Sequence, residues 1–187
     1  MSRITASTLV LATLAAFATA GAQTGKLTLT SPDVHAGQKI PSTHAYNGMG
    51  CTGTNTSPAL EWSGAPAGTK SFAITVYDPD APTGSGWWHW VVYNIPASTT
   101  KLAAGAGDAS KNLLPAGAKQ GNTDMGAPGY GGPCPPPGDK PHHYHFTIFA
   151  LDTDKIDVPA NATAAMVGFN LHAHTLAKAE LTALYNR

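Results

Sequence analysis

The segment DPDAPTGSGWWHWVVYNIP, Asp78–Pro96, ends one strand and begins another. Its second half, Trp88 to Ile95, carries the run Trp90-Val91-Val92-Tyr93, whose aromatic and β-branched content suits a buried strand. The first half alternates acids with prolines. Pro79 and Pro82 each hold φ at about −65° and lack an N–H, which stiffens the loop and narrows where Asp78 and Asp80 can point. His89 stands between Trp88 and Trp90, where its rotamers are restricted and a carboxylate can set its tautomer. Acids beside a histidine fit either catalysis or a rigid ligand pocket. A plain proline-locked β-turn also accounts for DPDAP.

Outward from this segment, the pattern is one of strands. Ser71 to Tyr77, SFAITVY, reads as a central strand running into Asp78. Lys26 to Thr30 alternates polar and apolar residues, Ala59 to Trp62 is a short strand candidate, and His143 to Leu151 is a third strong strand. Residues 101–127 are rich in Ala and Gly and read as a surface excursion. Asn161 to Tyr185 is expected to be helical, with Met166, Phe169, Ala173 and Leu176 on one face and Gly168 as a weak point. With 20 Gly, 15 Pro and only 12% charged residues, the 187-residue chain suits short strands joined by turns. The expected fold class is all-β with helical additions: one domain over residues 26–187, an antiparallel two-sheet β-sandwich with C-terminal helices.

Eleven basic residues balance eleven acidic ones, so the chain lacks the basic footprint that nucleic acid demands. Arg3 followed by the apolar, alanine-rich run Leu9 to Ala20 reads as a secretory leader over residues 1–22, cut after Ala20 or Ala22. That run is too short to span a bilayer comfortably, so no stable membrane insertion is expected. The implied location is outside the cytoplasm, periplasmic or secreted. In such an oxidising compartment an even count of cysteines favours one disulfide, Cys51–Cys134, over two buried thiols.

A second cluster, PCPPPGDKPHHYHF, starts at Pro133. Pro133 and Pro135 to Pro137 make a stiff rim, and Gly131 and Gly132 let backbone approach a ligand. Alternation puts His142 and Tyr144 on one strand face and His143 and His145 on the other. One of these pairs should face the sheet end that holds Asp78 and His89. His142, His143, His145, His172 and His174 raise the question of a metal, but His172 and His174 lie two apart on a predicted helix and diverge. No metal or other cofactor is expected. No Gly-x-Ser-x-Gly turn or P-loop pattern occurs, and Asp78 and Asp80 on a proline-rich loop need not converge as a carboxylate pair.

DPDAP with WHWVVYNIP, followed by GYGGPCPPPGDKPHHYHF, closely resembles the phosphatidylethanolamine-binding protein family, in its bacterial branch of Raf kinase inhibitor-like proteins. The resemblance runs from Leu27 to Tyr185 and includes Cys51-Thr52-Gly53 and Asn55 to Leu60. It implies a two-sheet sandwich with a small end pocket for phosphate or phospholipid headgroup-type anions. By position, it implies ligand-binding roles for Asp78, Asp80, Ala81, Pro82, Trp88, His89, Gly132, Pro133, Pro135, His142 and Tyr144. Ala81–Pro82 would be a cis bond, Gly132 to Pro135 would supply backbone donors, and Asp78 would orient His89. Trp88 departs from the second histidine of eukaryotic relatives, and the gating C-terminal extension of animal members is not recognisable. The cysteine pair of bacterial members matches Cys51 and Cys134. The lead reading is a non-enzymatic binding protein, with a protein partner left open. A kinase- or protease-inhibitor-like regulator acting through its surface and a low-activity hydrolase using Asp78 and His89 are the alternatives. Neither a monomer nor a dimer is specified.

Overall fold

The computed structural model describes residues 25–187; the expected leader lies outside the described residues. In chain order the strands are β1 (Thr28–Thr30), β2 (Asn47–Gly48), β3 (Cys51–Thr52), β4 (Leu60–Ser63), β5 (Ser71–Asp78), β6 (Trp87–Pro96), β7 (Lys101–Leu102), β8 (Lys119–Gln120), β9 (His142–Leu151) and β10 (Thr175–Tyr185). One α-helix, α1 (Ala164–His174), precedes β10. A five-stranded antiparallel sheet has the order β10-β9-β5-β6-β8, and a three-stranded sheet has the order β1-β4-β7. The third pairing is the short hairpin β2-β3, which carries Cys51.

Side chains alternate across a strand, so a sheet covered on both faces needs apolar residues at nearly every position. β5 meets that demand. Phe72, Ile74 and Val76 point into the core shared with Leu29, Leu60 and Trp62 of the small sheet, while Ala73 faces Val167 and Leu171 of α1. This double cover explains why β5, β6 and β9 read as long apolar runs rather than as alternating strands. The layers are thus sheet on sheet, with a helix behind the larger sheet.

The C-terminal segment differs from its helical reading. Only Ala164–His174 is helical, capped by the Thr163 hydroxyl, which accepts the Met166 N–H at 3.2 Å. Thr175–Tyr185 is instead an edge strand paired with β9 from Thr175↔Leu151 to Tyr185↔His142. Its sequence TLAKAELTALY alternates at period two, and ladder pairing along β9 outweighs the helix propensity of its alanines and leucines. The helix face also differs: Ala164, Val167 and Leu171 are buried, whereas Met166, Phe169 and Leu176 are exposed.

Candidate functional site

β5 delivers Asp78 to the end of the large sheet, where the residue is only 2% exposed. Both of its oxygens are used. Oδ1 accepts the Asp80 N–H at 2.9 Å, closing a tight turn, and Oδ2 lies 2.8 Å from His142 Nδ1 at the start of β9. His142 is clamped from its other side by Asp139, whose Oδ2 is 3.3 Å from Nε2. Burial alone would lower the His142 pKa, but the hydrogen bond and charge of Asp78, with Asp139 behind, outweigh it and hold the ring above its ordinary value.

Asp80 makes a parallel but exposed link. Its Oδ2 accepts the His143 N–H at 2.7 Å and lies 2.8 Å from His143 Nδ1. Partial burial works against the carboxylate charge, yet these bonds hold its pKa below the usual range. Asp80 therefore stitches the DPDAP loop to β9 and does not line the cavity. The loop achieves this without a cis bond: no cis peptide occurs among the described residues, and the Ala81 carbonyl accepts the Thr83 N–H at 2.8 Å. The trans turn satisfies the local backbone, correcting the expectation for Ala81–Pro82.

His89 owes its position to a β-bulge. Val76 pairs with Trp90 and Tyr77 with Trp88, so β6 carries His89 as an extra residue opposite one step of β5. The bulge lets His89 share the sandwich side with Trp90, and its ring meets Tyr144 edge-on at 5.1 Å. Its partner is not Asp78. Nδ1 lies 2.6 Å from the Gly131 carbonyl, which can only accept, so Nδ1 carries a proton and Nε2 is left as the ring nitrogen available to the cavity. Burial pushes the His89 pKa down despite the Gly131 bond and the nearby Asp78 and Asp124.

The rim behaves differently from its expected role as a backbone donor. The Gly132 N–H donates to Asn55 Oδ1 at 2.7 Å, and the Gly131 N–H donates to the His89 carbonyl at 2.8 Å. The Pro133 carbonyl accepts the Tyr46 N–H at 3.0 Å. Gly132 is required for packing: a Cβ there would sit 2.1 Å from the His44 carbonyl oxygen. Gly132 and Pro133 thus anchor the rim from behind, and Cys134, Pro135 and Pro136 form its inner surface. The disulfide Cys51–Cys134, with Cα atoms 5.9 Å apart, ties that surface to the β2-β3 hairpin. Arg187 Nε donates to the Pro135 carbonyl at 2.6 Å.

Together these elements enclose a cavity of about 150 Å³. Its polar lining is Asp78, Thr83, Trp87, His89, His142 and Tyr144, and Met49, Ala81, Pro82, Met125 and Pro135 close much of the rest. Two lining groups are buried without a partner: the Trp87 indole N–H and the Tyr144 hydroxyl. Burial, and then the charge of Asp78, hold the Tyr144 proton on well above the usual phenol range, yet its hydroxyl makes no hydrogen bond of ordinary geometry. Buried donors left unpaired cost roughly 1–3 kcal/mol each, which a ligand or water in the cavity would recover.

Of the residues singled out from sequence, Asp78, Ala81, Pro82, His89, Pro135, His142 and Tyr144 line this cavity. Trp88 does not. Alternation turns it to the opposite sheet face, where its ring packs 4.5 Å from that of Tyr77. The residue that lines the cavity is Trp87, and its place two before His89 was the signal for it. Met49 and Met125, also missed, come from loops with no periodicity to read. Two further histidines of the sequence cluster have acid partners of their own, His145 with Glu180 at 2.7 Å and His174 with Asp152 at 2.9 Å.

A model of the family described as phosphatidylethanolamine-binding protein matches residues 30–186. The UPF0098 protein YbcL of Escherichia coli K12 is 53% identical over 178 residues, spanning 95% of this chain and 97% of that protein. YbhB of the same organism is 53% identical over 158 residues, spanning 84% of this chain and 99% of its own length. The crystal structure of E. coli YbcL, described as a new member of the mammalian PEBP family, superposes with a TM-score of 0.85 over 87% of this chain and 99% of that one. A Chlamydia trachomatis homologue, 32% identical, gives a TM-score of 0.72. With the sandwich, the helix-backed sheet and this breadth of match, the chain belongs to the phosphatidylethanolamine-binding protein family.

Proposed function

We propose that the chain is an exported binding protein whose end-of-sheet cavity takes a phosphate or a phospholipid headgroup-type anion. The observation carrying this reading is the pair of buried donors without partners, Trp87 N–H and Tyr144 O–H, in a cavity that also holds His89 and the His142–Asp78 pair. An oxyanion accepts from several converging donors at once, and such charge-assisted bonds are about twice as strong as neutral ones. Loss of a donor to a charged acceptor costs about 1.5–3 kcal/mol, so Trp87→Phe and Tyr144→Phe should each weaken binding roughly ten- to hundredfold. The Cys51–Cys134 disulfide supports passage through an oxidising compartment.

The hydrolase alternative finds less support. Asp78 is committed to Asp80 and His142, and His89 to Gly131, so the supposed Asp78–His89 pair is not hydrogen-bonded. A surface-acting regulator draws support from a separate observation, the exposed Met166, Phe169 and Leu176 around a helix with no formally charged side chain. Phe169→Asp should abolish capture of such a partner while sparing the cavity.

Calorimetric titration with inorganic phosphate and with glycerophosphoethanolamine separates these readings. Saturable binding that Trp87→Phe and Tyr144→Phe weaken supports the cavity. Binding unchanged in both variants, or none at all, overturns it.

A further inference from the structure

His89 has one ring nitrogen held by the backbone and lines the cavity with the other free of a partner among the described residues. The Gly131 carbonyl, 2.6 Å from Nδ1, fixes the ring proton there whether the imidazole is neutral or charged. In the neutral ring the cavity-side nitrogen, Nε2, is then a bare lone pair. A lone pair repels an anionic oxygen unless a proton lies between them. Two other groups at the site are donors without partners, Trp87 N–H and Tyr144 O–H, so an oxyanion that satisfies them brings an oxygen into the same small space as Nε2.

No neighbour relieves this constraint. The groups facing His89 are Asp78 from β5, Asp124 from the loop after β8, and His142 and Tyr144 from β9. Asp78 has both oxygens occupied, and Asp124 Oδ2 accepts the Trp88 N–H at 2.8 Å. His142 has one nitrogen against Asp78 and the other against Asp139. Tyr144 has a single proton, buried beside the Asp78 charge. Burial disfavours a charged His89 in the free cavity, so the ring waits there neutral.

We propose that the cavity binds its oxyanion together with one proton, held between His89 Nε2 and a ligand oxygen, so that it selects phosphate species accompanied by a proton over bare dianions. This rests on the reading of the cavity as a phosphate-type site and specifies its ligand class. A protonated phosphate brings the proton itself, whereas a phosphodiester monoanion draws it onto the ring from solvent.

The test is calorimetry of the full-length mature protein at pH 8 in buffers of different ionisation enthalpy, with inorganic phosphate and glycerophosphoethanolamine as probes. The slope of observed heat against buffer ionisation enthalpy counts protons taken up. For wild type it should be close to one with glycerophosphoethanolamine, whose phosphodiester carries no proton, and close to zero with inorganic phosphate, whose hydrogenphosphate form brings its own; affinity for the diester should fall about tenfold per pH unit from pH 7.5 to 8.5. In His89→Gln, whose side-chain amide can donate without a proton from solvent, uptake should drop towards zero and the pH dependence should flatten. Glycerophosphoethanolamine binding with no proton uptake in wild type overturns the inference and leaves the phosphate site standing. Equal uptake in His89→Gln also overturns it, by moving the proton to another group. Absence of binding at any pH overturns the site and the inference together. If His89→Gln does not fold, the 15N shift of His89 Nε2 in the wild type decides: it should move towards a protonated nitrogen on saturation, and an unmoved shift refutes the proposal.

Discussion

Cys51 and Cys134 are 83 residues apart, and the bond between them closes β4 to β8, with the whole of β5 and β6, into one loop. Replacing both with serine releases that loop in the unfolded chain. In the chain-entropy treatment, a loop of this length contributes about 4.5 kcal/mol at 25 °C. For a domain of this size each kcal/mol moves the midpoint by about 2–4 °C, so Cys51→Ser/Cys134→Ser should melt about 9–18 °C below the wild type. Differential scanning calorimetry of oxidised wild type against the double variant reads this directly. Reduced wild type should melt with the variant. The bond also fixes the inner rim at Cys134 and Pro135, so the variant should bind phosphate more weakly at a temperature where it is fully folded. A midpoint within about 3 °C of wild type would refute the assignment of a large loop-closure contribution to this bond.

Further outcomes follow from single contacts. Leu171→Ala, at a fully buried helix position, should cost about 2–5 kcal/mol in denaturant unfolding, whereas Phe169→Ala on the exposed face should stay within about 0.5 kcal/mol. Trp88→Ala should leave phosphate affinity unchanged, and Trp87→Phe should reduce it; the reverse pattern would contradict the facing of β6. His142 is held above its ordinary pKa, so the Asp78–His142 pair contributes stability fully below about pH 6.5 and loses it as pH rises through the higher folded value. Asp78→Asn should therefore remove that stretch of the stability-versus-pH curve, and an unchanged curve would exclude the pair as its source.

The sandwich was legible because its central strands are rich in apolar residues, and β5 and β6 are stopped by Asp-Pro and by proline. Alternation also paired His142 with Tyr144, and that pair lies on the cavity side of β9. The strand at Thr175–Tyr185 was obscured by alanines and leucines, which favour helix in isolation but lie along β9 in the fold. His89 reached the cavity through a bulge, an insertion relative to a partner strand that no single segment reveals. The same limit hid the pairing of the acids. Which carboxylate meets which histidine depends on the register of β5 against β9, and that register sends Asp78 to His142 and Asp80 to His143 rather than to His89.

In the proposed site an oxyanion accepts a hydrogen bond from the unpaired Trp87 indole N–H. The chain has four tryptophans, at positions 62, 87, 88 and 90, each of which gives one indole N–H signal to follow in a 1H–15N spectrum. On titration with inorganic phosphate the Trp87 signal should move downfield and saturate. The Trp88 signal, from the opposite sheet face, and that of Trp90, already bonded to Gln120 at 2.6 Å, should hold still. A stationary Trp87 signal at saturating phosphate, or equal small shifts of all four, would contradict the account.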